Sequence, residues 1–295
     1  MKFFISFLFL AITTLSFSQT LYLDKVSAVS KRTYTYQKNK GEKKLKLDFY
    51  KPKKVKGALP LLLYVHGGGF SGGKRNDKNT VNFANNMAAR GYAVASISYR
   101  LTRKNLGFNC DTKSEDKIKA FNATSEDISY AIKYILSKKR RFKIDINKII
   151  LIGTSAGAEA VLNLAYVYGT KILPEDFKFA GLISMAGAII SLDTITKEKA
   201  IPTQLFHGTD DQLVPYDIDS HHYCKNNNAG YLILYGSKAI AHKLKILGQS
   251  FYLYTIQKGD HSWSGKPMYE CTPEILDFLY YDVLKNKKRQ IQRSI

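Results

Sequence analysis

The chain has 295 residues, of which 45% are hydrophobic and 23% charged, and its formal net charge is +21. That length suits one large domain with a substantial core. Such a positive field favours anionic partners, yet the lysines are spread along the chain with no basic helix and no basic-aromatic interleaving, which excludes a nucleic-acid module and leaves a solvated, lysine-rich surface as the first reading.

The N-terminus reads MKFFISFLFLAITTLSFSQT: a lysine, an apolar core from Phe3 to Leu15, then Ser16, Phe17 and Ser18 before Gln19. This is the layout of a secretory signal over residues 1–18, cleaved after Ser18, and it implies a secreted or periplasmic product. A membrane anchor fits less well. Ser6, Thr13 and Thr14 interrupt the apolar stretch, which falls short of the ~20 residues a spanning helix needs. No later stretch approaches that length, so no stable membrane insertion is expected. Residues 19–295 then read as a single domain.

Beyond the signal, residues 31–38 and 45–51 alternate like an antiparallel pair, with Gly41 near the turn. Six more apolar runs follow, at 59–66, 92–99, 148–153, 180–187, 202–208 and 250–256, and they read as strands buried on both faces. Between them lie helical periods at 79–91, 125–140, 155–169 and 237–248, with Ser125 a candidate cap for the second. Strand and helix alternate, so the expected fold class is α/β: a mostly parallel, eight-stranded, doubly wound sheet with helices on both faces and an antiparallel start. Ligands of such sheets bind beyond the C-terminal ends of the strands.

Two stretches break the alternation, residues 102–117 and 224–237; each suits either an excursion over a site or a loose surface connection. The tail at 285–293 is a low-complexity basic run. Three cysteines, Cys110, Cys224 and Cys271, fit one disulfide and one free thiol in an oxidising compartment, with the pair left open.

The residues just after strands carry the chemistry. GTSAG at 153–157 follows an apolar strand and precedes a helical pattern, which is the G-x-S-x-G nucleophile elbow with Ser155 at the turn. That pattern alone arises by chance in roughly one chain in ten of this size, but HGGG at 66–69 is far rarer, on the order of one in several hundred. A serine alcohol needs a base, and the base needs an acid to fix its tautomer. Of six histidines, His261 in GDHSW sits directly after the strand at 250–256, on the correct edge of the sheet. His66, His207, His221, His222 and His242 read more simply as structural or surface residues. HGTDDQLVP at 207–215 offers Asp210 and Asp211 as the acid, and spacing does not choose between them.

Taken together, HGGGF, GTSAG, HGTDDQLVP and GDHSW resemble the α/β-hydrolase esterases of the hormone-sensitive-lipase-like group and the related bacterial feruloyl and acetyl-xylan esterases. The resemblance runs from about residue 45 to the C-terminus. It implies an α/β-hydrolase fold, Ser155 as nucleophile, His261 as base and Asp211, at the fifth position of H-G-x-x-D-x-x-V-P, as acid. It implies an oxyanion hole from the N–H groups of Gly68, Gly69 and Ala156, with His66 shaping the loop. The expected activity is hydrolysis of small acyl or aryl esters, among them acetyl or feruloyl groups on glycans, without cofactor or metal. Three rivals are weighed beside it. A peptidase or amidase would use the same triad, and an inactive scaffold would hold anionic glycan. A metal-dependent deacetylase would draw on His221, His222, Cys224, Asp217 and Asp219, but adjacent histidines diverge and serve one ion poorly. Among smaller features, Glu126 and Asp127 favour the first turn of their helix more readily than they brace the Gly-rich loop. Trp263 suits packing at least as well as a pocket wall.

Overall fold

A computed structural model describes residues 20–38 and 43–295. The signal segment at 1–18 and the turn at Gly41 lie outside these residues. Among the described residues, no helix is long and apolar enough to cross a membrane.

The eight strands expected from the sequence are all present: β1 (Val29–Gln37), β2 (Leu45–Pro52), β3 (Leu59–Val65), β4 (Ala93–Ile97), β5 (Ile144–Thr154), β6 (Gly181–Met185), β7 (Thr203–Gly208) and, further on, β10 (Phe251–Ile256). Between the last two, β8 (Ile218–Ser220) and β9 (Ile233–Tyr235) form a separate antiparallel pair. A ninth strand of the main sheet, β11 (Gln290–Ser294), comes from the tail that composition alone marks as low-complexity. It pairs in parallel with β10 from Phe251↔Gln290 to Thr255↔Ser294. Backbone pairing is indifferent to the polar side chains of β11, and Arg289 anchors its start by ion pairs to Asp277 and Asp282. The sheet order is β1-β2-β4-β3-β5-β6-β7-β10-β11. Within this sheet, among the described residues, only the β1–β2 and β2–β4 pairs are antiparallel.

Side-chain alternation along the strands builds two cores. In β3 every residue is buried: Leu61, Leu63 and Val65 face one core, and Leu62 and Tyr64 the other. The neighbouring β5 repeats the pattern, with Ile149 and Leu151 on the first side and Ile150 and Ile152 on the second. Such strands carry no polar face because helices cover both sides. On the second side lie α1 (Lys78–Ala89), through Phe83 and Met87, and the C-terminal helical segment, through Ile275 and Phe278. Asp77 caps α1, accepting from Thr80 N–H at 2.9 Å. The first side is covered by α2 (Ser114–Ser137), the one-turn α3 (Lys139–Phe142), α4 (Ala156–Leu162) and α5 (Ser237–Ile246).

The largest departure from the sequence reading is the start of α2. Ser125 does not cap it but lies in its buried middle, eleven residues after Ser114. Its Oγ donates to Phe121 O at 2.9 Å, so the hydroxyl is satisfied inside the helix. The first three turns carry their buried stripe on Lys117, Ala120, Phe121 and Thr124, a helical spacing hidden from a hydrophobicity reading by its two polar members. Glu126 and Asp127 are consequently not in a first turn. They clamp Arg100: Asp127 accepts from Arg100 N–H at 2.7 Å and from its Nε at 2.8 Å, and Glu126 pairs with its Nη2. Burial raises the Asp127 carboxyl despite those bonds.

The crossing of α4 over β3 leaves no room for side chains. A Cβ on Gly157 would lie 2.2 Å from Val65 O, and one on Gly153 would lie 2.3 Å from Gly157 O. Gly157→Ala should therefore destabilise the fold by about 1–3 kcal/mol. The expected sign is a lower urea midpoint at unchanged slope, and an unaltered midpoint would contradict this contact.

Candidate active site

Ser155 stands at the end of β5, where the chain turns into α4 with φ +50° and ψ −124° at the serine itself. A non-glycine residue in that region stores strain, typically about 1–3 kcal/mol. The surroundings hold it: Ser155 N–H donates to Met185 O at 2.9 Å, and its carbonyl accepts from Ala158 and Glu159 N–H at 2.7 and 3.0 Å. The turn projects the hydroxyl away from the sheet edge toward the loop after β10.

There, Ser155 Oγ lies 2.8 Å from His261 Nε2, and His261 Nδ1 lies 2.7 Å from Asp211 Oδ2. The carboxylate can only accept at Nδ1, so Nδ1 carries the proton and Nε2 is left to accept from the serine. His261 opens a short 3₁₀ turn (His261–Ser264) capped by the Asp260 side chain. Asp211 follows β7 and is fixed from three sides. Its Oδ1 accepts from Leu213 and Val214 N–H, each at 2.9 Å, and His207 Nε2 lies 3.3 Å from Oδ2. Burial pushes the Asp211 carboxyl up, but the bonds from His207 and His261 outweigh it and hold it well below the ordinary range. Asp210, by contrast, is exposed, and its carboxylate accepts from its neighbour Thr209 Oγ1 at 2.9 Å. Of the two candidates that spacing leaves open, the structure brings Asp211 to the histidine.

The Gly-rich loop follows β3 and packs on the elbow. A Cβ on Gly67 would lie 2.8 Å from Thr154 O and 3.0 Å from Ser155 Cβ. Gly68 and Gly69 have φ of +114° and +57°, a conformation glycine adopts without penalty. Gly68 O accepts from Gly72 N–H at 2.9 Å and Ser71 N–H at 3.1 Å, which folds the loop back. Among the described residues, the N–H groups of Gly68, Gly69 and Ala156 donate to no acceptor. Ala156 begins α4, where helical N–H groups are unpaired by geometry. His66 lies outside the pocket, bonded through Nδ1 to Gly67 O at 2.8 Å and stacked on Tyr99 at 4.4 Å.

The three loops border a pocket of about 490 Å³ that also takes in Phe108, Leu213, Glu159, His221 and His222. The two irregular stretches are tied together beside it, and Phe108 of the first lines it. Cys110 and Cys224 are joined by a disulfide, Gly230 N–H donates to Cys110 O at 2.8 Å, and Ser114 N–H donates to Ala229 O at 3.0 Å. Cys271 is the free, buried thiol. The disulfide also removes Cys224 from any metal-ligand set. Trp263 takes no part in the pocket wall; its ring packs beside the core on the second side, with Lys266 Nζ 5.0 Å from its centroid.

Sequence reasoning missed Glu159, His221, His222 and Lys117 as neighbours of the site. Glu159 was within reach of it, being four residues after Ser155 on a helix and hence on the same face. The histidines were not, because only tertiary folding of the 218–235 hairpin brings them in. Lys117 is wholly buried, its Nζ donating to Gly230 O at 2.8 Å, and burial lowers it to about 8.

A mostly parallel sheet in this order, with Ser155 on the turn after β5, Asp211 after β7 and His261 after β10, gives the chain the α/β-hydrolase fold. Residues 47–184 match the BD-FAE family model. Gut esterase 1 of Caenorhabditis elegans is 35% identical over 124 residues, 42% of this chain and 21% of that protein. Fumonisin B1 esterase of Sphingopyxis macrogoltabida is 33% identical over 160 residues, 53% and 28% of the two chains. The chain thus spans about a quarter of the length of the curated relatives it matches. Among solved structures, the apo form of Thermogutta terrifontis esterase 2 superposes with a TM-score of 0.61 at 18% identity, covering 87% of this chain and 94% of that one. Its butyrate-bound form gives 0.62 at the same identity and coverage. These likenesses show the fold.

The lowered Asp211 carboxyl has a consequence for stability. The folded state binds that proton more weakly than the unfolded chain, so the contribution is full above the ordinary value of 3.8 and is lost as pH falls through the folded value. Asp211→Asn should flatten the acid limb of a plot of unfolding midpoint against pH; parallel limbs for the two proteins would contradict the assignment.

Proposed function

We propose that this protein is an exported serine carboxylesterase working through an acyl-enzyme. The observation that carries the reading is the unbroken hydrogen-bond chain from Ser155 Oγ through His261 to Asp211. His261 Nε2 removes the hydroxyl proton as Ser155 attacks the ester carbonyl, and Asp211 stabilises the imidazolium that forms. The carbonyl oxygen gathers negative charge beside the free N–H groups of Gly68, Gly69 and Ala156. Losing one such donor costs about 2.7–4 kcal/mol of barrier. His261 then protonates the departing alcohol, and water, activated by the same imidazole, releases the acid.

Resemblance to named esterases over part of the chain supports an ester substrate. The pocket is small and mixes polar with apolar walls, which suits acetyl, aryl or feruloyl groups on glycans better than long alkyl chains. Export is supported by the N-terminal signal layout and by the Cys110–Cys224 disulfide, a bond at home in oxidising compartments.

Ser155→Ala should abolish hydrolysis of p-nitrophenyl acetate while leaving the circular dichroism spectrum unchanged; near-wild-type turnover in that variant would end the serine reading. Asp211→Asn should be far more damaging than Asp210→Asn in the same assay, and the reverse order would reassign the acid. Profiling acetyl, butyryl, octanoyl and feruloyl esters should give kcat/KM falling steeply toward octanoyl. A rise along the alkyl series would replace the short-acyl reading with a lipase-like one.

A further inference from the structure

The pocket beside Ser155 has a polar wall that no step of ester hydrolysis uses. Glu159 on α4 and His221 after β8 both line it, and they are 2% and 1% exposed. Glu159 Oε1 and His221 Nε2 approach to 3.2 Å. The geometry does not align them, however, and Glu159 Oε1 and His221 Nδ1 are each left without a hydrogen-bond partner among the described residues. Buried polar atoms without partners are uncommon in folded proteins and costly where they occur. Both side chains line the pocket, where a ligand can supply polar partners that the fold does not.

The wall is also held in place. Ser220 Oγ donates to Cys224 O at 2.7 Å, the disulfide ties Cys224 to Cys110, and Phe108 meets the His221 ring edge-on at 5.2 Å. Burial raises Glu159 to about 8 and lowers His221 to about 3 and His222 to about 4, each shift favouring the uncharged form. A carboxyl and an imidazole in those states offer both donors and acceptors. A hydroxyl, which donates and accepts through one atom, complements them, whereas an ionised group would surrender its hydration on entering.

We propose that Glu159 and His221 form a specificity subsite that receives a neutral hydroxyl carried by the substrate, so that esters of hydroxylated acyl or alcohol groups are preferred over their deoxy counterparts. The proposal rests on the serine-esterase reading and names the substrate class for it. Its physical basis is asymmetric discrimination. A site built to bond a hydroxyl rejects the analogue lacking it, because the buried groups of the site are then left unpaired.

The test compares kcat/KM within two matched pairs, methyl 4-hydroxycinnamate against methyl cinnamate and glycerol monoacetate against propyl acetate. The wild-type protein should favour the hydroxylated member of at least one pair by about tenfold or more. Glu159→Leu should bring that ratio close to one, and Glu159→Gln, which keeps a donor and an acceptor, should retain most of it. The readout is the ratio, so a general loss of rate does not obscure it. Should Glu159→Leu fail to fold, His221→Phe reads the same ratio. Equal turnover within both pairs by the wild type, or a preference that survives these apolar substitutions, overturns the subsite. Failure of a fluorophosphonate to label Ser155 in the wild type would instead strike the esterase reading, and so separates the two.

Discussion

The contact on which the site depends is the one between Gly157 and the carbonyl of Val65, where the first turn of α4 touches the end of β3. It allows two loops from neighbouring strands to occupy almost the same place. One carries the serine in its strained turn, and the other carries the free N–H groups of Gly68 and Gly69. Parallel pairing of β3 with β5 sets their common height, since Val65 lies opposite Gly153. The glycines then remove every atom that would hold the loops apart. Strain at Ser155 persists because backbone bonds to Met185, Ala158 and Glu159 fix the turn on both sides.

Asp211 and His261 are brought together by the same device. Asp211 and His261 follow β7 and β10, which are paired in register from Thr203 to Gly208. A hydrogen bond between side chains fifty residues apart therefore needs only two short loops leaving adjacent strands at one level. His207 on β7 adds to this: it holds Ser237 through Nδ1 at 2.9 Å and Val214 O through Nε2 at 3.1 Å, tying α5 to the loop that carries Asp211.

These arrangements explain what could be read in the sequence. Strands buried on both faces appear as plain apolar runs, and polar residues placed one to five positions beyond them follow from the architecture. Hence Ser155, His261 and the pair containing Asp211 were all legible. What stayed hidden depended on contacts between distant segments. The first turns of α2 present Lys117 and Thr124 to the interior, where Gly230 O receives the lysine, and no local pattern announces a buried lysine. His221 and His222 read as structural or surface residues, with nothing to place them at the site, because the disulfide and the short β8–β9 hairpin that turn His221 inward span residues 110–235. Glu126 and Asp127 were misplaced for a related reason: once the helix starts at Ser114, they belong to its middle, and their role passes from the helix terminus to Arg100.

β11 has a bearing on how the chain behaves among other copies of itself. Every residue of β10 is buried, and without a neighbour on that side its unpaired backbone would be an apolar edge open to any passing strand. Gln290–Ser294 closes that edge with five residues, four of them exposed, whose sequence is QIQRS. What remains outermost is short, polar and carries Arg293, a poor template for further strand addition. The end of the basic tail thus sets a mostly exposed strand, and not the apolar β10, at that edge of the sheet, on the flank of the strand that leads to His261.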